Sequence, residues 1–551
     1  MSFELDTLSY TLLTTIVGAA ALLSVRNSKT PDIHPLLLNT QSDVSRLRHP
    51  EESAIYRSRM YPMGAPVCST FDRAIRTMSD FYKAGSIVKN PSAGFLGQGA
   101  EYSTYDAIGK RLDPVYQGLR AVAGLVPQSG NESSFVGIYS SNSLHTILTE
   151  IACHSNGLVT IPISSYASST HASHVIQKTG LKILITQTEY LSRVLSLSKG
   201  TTLKYVVVVG EITSENKRQA DIAGIELITF EELEVRGKAE TFDAVQVVPN
   251  DMASIFFSSS IEKESKNGVV LTHKNLLSNI SSYLLVIPPQ QRITPKDRLL
   301  LNLPIDNVLG HVLTAVISLL GGSVAFSEEV NDPDNIDIGV SLTSIAKSKP
   351  TILASGSGFL NQVKQLIESR YGQSFLFKRG YEVKKEYLTE CRLIDDCKYD
   401  MVVFRDIRQT LLGGNLRLII IDNDDLSDPT LANFLRIVLS TQVLQTFNLT
   451  ETCGTVTASM FYDYNADPHA KGAPFPCNEI KLIDVPERSY TAEDKPNPRG
   501  EIWVRGNNVF KGYYKDAVAT SDVLDADGWF MTGYLGEILP NGTFKIIGRK
   551  A

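Results

Sequence analysis

Apolar residues along this chain fall into two patterns. Short, mainly apolar runs occur at residues 135–139 (FVGIY), 159–163 (VTIPI), 181–185, 205–209 (YVVVV), 253–257, 299–303, 323–326, 351–354, 416–421 (LRLIII) and 442–447. Between them lie stretches with an apolar residue at every third or fourth position, at 144–153, 167–178, 309–320 and 431–439. A continuous apolar run fits a strand buried on both faces, and the intervening period is that of a helix. The alternation predicts an α/β fold of two doubly wound lobes. Helical spacing also covers 102–125, with a break expected at Pro114, since proline lacks the amide hydrogen. From residue 477 the runs shorten and sit between Gly and Pro turns, at 479–485, 500–505 and 542–547, which predicts a small β-rich subdomain. Residues 27–99 show no clear period and read as an N-terminal arm wrapping the body. Residues 359–397 read as a charged helical insert with a solvated face; a membrane-facing or partner role is the sharper alternative.

Length and charge narrow the class. At 551 residues the chain is long enough for several lobes with ample core. A net charge of −6 argues against a nucleic-acid partner. The six cysteines are scattered without metal-ligand spacing, as expected of reduced thiols in a cytosol-facing body. His171 and His174 lack a nearby third ligand and read as structural.

Residues 8–25 are nearly free of charge and approach the ~20 residues a membrane-spanning helix needs. Arg26 and Lys29 follow, so an uncleaved membrane anchor over 1–26 is expected, with the body on the cytosolic side. A cleaved secretory signal would need a basic start, whereas Glu4 and Asp6 are acidic. The endoplasmic reticulum, lipid droplet, peroxisome and mitochondrial outer membrane all remain open as destinations.

The candidate chemistry begins in residues 256–275, FFSSSIEKESKNGVVLTHKN. An apolar run enters, a hydroxyl triplet Ser258-Ser259-Ser260 follows, and a second apolar run leaves toward Thr272, placed to cap a helix. Such a loop can set backbone N–H groups around a phosphate.

Further motifs then give a resemblance. Residues 268–276 (GVVLTHKNL), 447–454 (FNLTETCG), 500–506 (GEIWVRG), 509–514 (VFKGYY) and 527–533 (DGWFMTG) resemble, in order, motifs of the AMP-forming long-chain acyl-CoA synthetases. The resemblance spans about residues 100 to 550 and implies domains at 100–475 (AMP-binding, two α/β lobes) and 476–551 (β-rich, ending at the hinge). It implies that a fatty-acid carboxylate attacks ATP, giving an acyl-adenylate that CoA then captures, with Mg²⁺ assisting. Thr450 would give a hydroxyl to the α-phosphate, and Glu451 a carboxylate to Mg²⁺. Ser258, Ser259, Ser260, Thr272, Phe447, Asn448, Tyr534 and Arg549 stand at positions the resemblance assigns to nucleotide binding.

This chain departs from the pattern at chemical positions. The phosphate loop holds Ile261 and Glu264 in place of glycines, and Asn267 in place of lysine. Ile cannot supply the φ > 0 that glycine permits. A carboxylate ~4 Å from a phosphate opposes binding by about 4 kcal/mol at an effective dielectric near 20. Tyr534 replaces the ribose-binding aspartate, Asn307 the histidine of a PLAH motif, and Asp422-Asn423 two glycines on the adenine side. The hinge motif begins at residues 548–550, and the C-terminal lobe with its adenylation lysine is expected to be absent. Three readings follow: a ligase-like protein impaired in adenylation that acts as a lipid-binding, regulatory or scaffold partner of an active paralogue; a working long-chain fatty acid–CoA ligase; or acyl transfer from a preformed adenylate.

Overall fold

Three sheets organise the chain in a computed structural model that describes residues 6–27, 30–46, 48–85, 94–96, 102–128, 134–243, 245–257, 259–260, 263–264, 267–327, 338–423 and 428–550. The first sheet has eight strands, in the spatial order Gly512–Tyr513, Val269–Thr272, Met252–Phe256, Val159–Ser164, Phe135–Ser140, Ile183–Gln187, Tyr205–Val209 and Glu226–Thr229. The last six run parallel. Val269–Thr272 and Gly512–Tyr513 extend the sheet antiparallel. The second sheet has seven strands, ordered Ser323–Phe326, Arg298–Asn302, Ile352–Gly356, Leu418–Asn423, Gln442–Leu449, Gly454–Ala458 and Ala473–Pro474. Its first five are parallel, and the last two return antiparallel. Apart from Glu226–Thr229, which the apolar pattern did not mark, the parallel strands coincide with the short apolar runs of the sequence. Their Val, Ile and Leu side chains are buried, each contributing roughly 1.5–3 kcal/mol. The expected α/β fold is therefore present, built on two mixed, largely parallel sheets.

The third sheet is antiparallel throughout, ordered Ser42–Val44, Tyr56–Ser58, Asn478–Ile483, Arg499–Gly506, Phe530–Ile538 and Phe544–Arg549. Three strands match those of the expected β-rich subdomain, and a fourth, Phe530–Ile538, lies between two of them. The other two come from the arm, so residues 42–58 complete a sheet whose remaining strands lie more than 400 positions away in the chain.

Three local expectations are corrected. Pro114 does not break its helix, which runs unbroken over Tyr105–Ala123. That helix crosses Phe230–Ala239 at glycines: a Cβ on Gly237 would lie 1.9 Å from the Pro114 carbonyl oxygen, and one on Gly118 2.3 Å from that of Leu233. Backbone-to-backbone packing of this kind outweighs the ~3 kcal/mol that proline costs inside a helix. The charged insert is not merely a solvated face. It forms the helices Ser357–Tyr371 and Phe375–Thr389, and a π turn at Asp400–Phe404 and the helix Arg405–Leu412 follow it. Lys384 and Asp400 are buried there and meet at 2.7 Å, with Arg408 also 2.7 Å from Asp400. Finally, the anchor expected over 1–26 is not supported. A helix spans Thr7–Asn27, with Tyr10, Leu12, Leu13, Ile16 and Val17 exposed, and among the described residues no helix is long and apolar enough to cross a membrane.

Candidate functional site

The site forms where the parallel strands of the second sheet end, the usual place for a ligand crevice in such sheets. Strand Gln442–Leu449 runs into a single 3-10 turn, Thr450–Thr452, and the chain reverses through Cys453 and Gly454 into Gly454–Ala458. Both residues at the reversal have positive φ, 54° for Cys453 and 103° for Gly454, and the second value lies beyond the left-handed region a side chain tolerates. The turn is tied from several directions. Thr452 donates its hydroxyl to the Gly454 carbonyl at 2.8 Å, and Asn508 donates its amide to the Thr452 carbonyl at 2.7 Å. The Phe510 amide donates to the Glu451 carbonyl at 2.8 Å.

The Glu451 carboxylate is partly buried and accepts a 2.9 Å hydrogen bond from the Tyr513 hydroxyl. Burial raises the pKa of this carboxyl, and the phenol's hydrogen bond opposes the rise. Tyr513 comes from the edge strand of the first sheet, paired with Val269, while the Tyr514 amide donates to the Gly268 carbonyl at 2.7 Å. Three motifs that are far apart in the sequence, at 268–276, 447–454 and 509–514, thus meet at one junction. Asn275 completes it, donating to the carbonyls of Asn507 and Val509 at 2.9 and 2.8 Å.

Thr272 does not face this crevice. It caps the helix His273–Val286, accepting from the Asn275 amide at 3.2 Å and donating to the Asn275 side chain at 2.8 Å, and it is buried. The helix start is as expected, but the hydroxyl is committed to the cap and not to a ligand. Ser258 lies outside the described residues, as do Ile261, Glu262, Ser265 and Lys266. The backbone at Ser259-Ser260 pairs antiparallel with Lys263-Glu264 as a two-residue ribbon. Beyond it, the Asn267 side-chain oxygen accepts from Lys178 at 3.4 Å.

Phe447, Asn448, Tyr534 and Arg549 gather on the other side of the turn. Phe447 is buried and meets the Tyr534 ring edge-on, 5.2 Å between centroids. The Arg549 guanidinium covers the Tyr534 ring at 5.1 Å, its strand register partner. Asn448 donates to Asp422 at 2.7 Å, and from the opposite side Asn307 donates to the same carboxylate at 2.6 Å. The Thr455 hydroxyl donates to the Asn448 oxygen at 2.7 Å. Burial raises the Asp422 pKa against the pull of the Asn448 and Asn307 amides. Asn307 and Asp422 each stood out in the sequence as departures; their contact did not, because 115 residues separate them.

Asn307 also borders a narrow recess between the two lobes, which Asn142, Glu150, His311 and Thr314 help to line. Glu150 and His311 meet across it at 2.6 Å. Glu150, Asn508 and Tyr513 were missed as site residues. A lone acid within the apolar helix Leu144–Ser155 was the available signal for Glu150.

Residues 87–514 match the AMP-binding enzyme family, more than half of the chain. The chain belongs to the AMP-binding enzyme family. Within it, the chain is 30% identical to long-chain-fatty-acid–CoA ligase 5 of Rattus norvegicus over 427 residues, 76% of this chain and 60% of the relative. It is 29% identical to the peroxisomal long chain acyl-CoA synthetase 6 of Arabidopsis thaliana over 94% of this chain and 71% of that one. The chain thus spans about 60% of the length of the rat relative. Among solved structures, a long-chain-fatty-acid-CoA ligase from Archaeoglobus fulgidus superposes with a TM-score of 0.65 at 18% identity, covering 89% of this chain and 87% of that chain. The anthranilate CoA ligase AuaEII superposes at 0.64 and 16% identity, covering 87% and 79%. These likenesses establish the α/β fold of adenylate-forming enzymes.

AMP-binding family members use ATP with CoA, and the residues here fit these groups unevenly. The Glu451 carboxylate is a suitable oxygen donor for Mg²⁺. The nucleotide side fits poorly: Asp422 is a carboxylate held by Asn307 and Asn448, and Tyr534, packed against Phe447 and Arg549, is a phenol, which lacks the paired acceptors a carboxylate gives a diol.

Proposed function

We propose that this chain is a long-chain fatty acid–CoA ligase-like protein, impaired in ATP-dependent acyl-adenylate formation, that holds an acyl chain and acts as a regulatory or scaffold partner of an active relative. Its long-chain relatives supply the acyl-chain part of the reading. The carrying observation for impairment is Tyr534, packed edge-on against Phe447 and covered by Arg549. A ring so enclosed cannot give the two hydrogen bonds that a carboxylate gives a ribose. Incubation of the purified protein with ATP, Mg²⁺, CoA and labelled palmitate tests this, with pyrophosphate and acyl-CoA as readouts. Background-level turnover is expected, and turnover of one per second or more overturns the proposal.

A second reading, an active long-chain ligase, rests on the Thr450–Glu451 turn, which keeps both residue types at the end of its strand. The same incubation separates the two.

A further inference from the structure

The contact between Asn307 and Asp422 changes how the departures from the family pattern relate to one another. Asn307 stands at the N-cap of the helix Val308–Leu319, its side-chain oxygen accepting from the Leu309 amide at 3.0 Å. That leaves its NH₂ free to turn toward the end of strand Leu418–Asn423, where it donates to one oxygen of Asp422 at 2.6 Å. The second oxygen accepts from Asn448 at 2.7 Å, and Asn448 also donates to the Thr446 hydroxyl at 2.6 Å while accepting from Thr455. Thr455 shares a 2.6 Å hydrogen bond with the Tyr283 hydroxyl. A carboxylate is thus fixed by two amides, one from each neighbouring element, and those amides are oriented by bonds of their own. Its hydrogen-bond partners among the described residues are these two neutral amide donors.

Asn307 and Asp422, both departures from the resembled motifs, are a matched donor and acceptor. Asn448 precedes Thr450 and Glu451 by two and three residues, so the fixed carboxylate lies beside the turn that would face an anionic reactant. We propose that Asp422, clamped by Asn307 and Asn448, is a specificity-determining residue that turns the crevice against anionic ligands, the phosphates of ATP and the carboxylate of a fatty acid alike. The inference deepens the proposal of impaired adenylation and rests on it for the location of the nucleotide side. Asp422 acts by charge and place and takes part in no chemical step.

Isothermal titration of the full chain with ATP, and with uncharged adenosine, tests it in three proteins: wild type, Asp422→Asn and Asp422→Gly. Asn keeps the shape and removes the charge, whereas Gly removes both. In the wild type, ATP is expected to bind no more tightly than adenosine; an ATP advantage above tenfold overturns the inference without any variant. Asp422→Asn is expected to raise ATP affinity at least tenfold while changing adenosine affinity less than threefold. ATP gains below threefold in both variants overturn it, as does a gain in Asp422→Gly alone, which would assign the effect to bulk. Thermal midpoints confirm that each variant folds, and the wild-type comparison stands if neither does. Palmitate turnover by the wild type would overturn the impaired-adenylation reading, whereas the variant-to-wild-type ratio of ATP affinity decides the role of Asp422.

Discussion

Glu150→Gln gives a sharp test of how the two lobes are joined. Glu150 lies on the helix Leu144–Ser155, which packs on the first sheet, and His311 on the helix Val308–Leu319, beside the second. The His311 Nδ1 lies 2.6 Å from the Glu150 carboxylate, and its Nε2 lies 2.6 Å from the Ile305 carbonyl oxygen. A carbonyl only accepts, so Nε2 carries hydrogen; with a carboxylate facing Nδ1, that nitrogen carries one too, and the ring is an imidazolium. Burial alone would lower the His311 pKa, but the Glu150 charge outweighs it and the pKa is raised. Burial likewise would raise the Glu150 pKa, and His311 pulls it below the ordinary carboxylate range. His154 Nδ1, 3.8 Å from Glu150, belongs to a ring whose pKa burial lowers, so it adds no competing charge near neutrality.

Breaking a buried pair by removing one partner costs about 3–5 kcal/mol. Gln still accepts a hydrogen bond, and His311 can discharge, so the expected loss is about 2–3 kcal/mol at pH 6. The sign with pH follows from the two shifts. The His311 contribution is complete below the unfolded histidine value of about 6.5 and is lost as pH rises through its raised folded value. The Glu150 contribution is complete above about 4.3 and is lost as pH falls through its lowered folded value. Urea denaturation followed by circular dichroism at pH 6 and pH 9, for wild type, Glu150→Gln, His311→Gln and the double variant, measures both cost and coupling. A cost below about 0.5 kcal/mol at pH 6, or one that does not shrink by pH 9, refutes the charged pair.

Two other outcomes are expected. Gly237→Ala places a methyl group 1.9 Å from the Pro114 carbonyl oxygen and should cost at least about 3 kcal/mol, read as a fall in denaturation midpoint, whereas Gly180→Ala, at a helix end with open space, should cost about 1 kcal/mol. Tyr534→Asp removes the ring contacts to Phe447 and Arg549, costing about 1–2 kcal/mol in thermal stability, and should raise adenosine affinity measured by calorimetry.

Much of the scaffold can be read from the chain because its strands are continuous Val, Ile and Leu runs that need both faces covered. Residues 205–209 and 418–421 carry that signal with no help from distant residues. Pro114 misled because the partner that keeps its helix intact, Gly237, is fixed by packing and not by local preference. Lys384 misled in the opposite sense: a charged residue at helical spacing reads as solvated until it meets Asp400 inside the fold. At the candidate site, the motifs pointed to Thr450, Glu451, Phe447 and Tyr534. What they could not supply was which of their side chains answer to one another. Thr272 serves its helix, Tyr513 serves Glu451, and Asn307 serves Asp422.

The meeting of residues 268–276, 447–454 and 509–514 has a consequence for how such proteins are found and sorted. Asn275, Asn508, Phe510 and Tyr513 hold the first and second sheets together through hydrogen bonds that need no ligand. Selection for folding alone would preserve these signature letters in a lineage that had stopped making adenylates. A search built on them recognises the chassis. Whether the chemistry survives is written at positions such as 422 and 534, whose side chains are held by neighbours outside that junction.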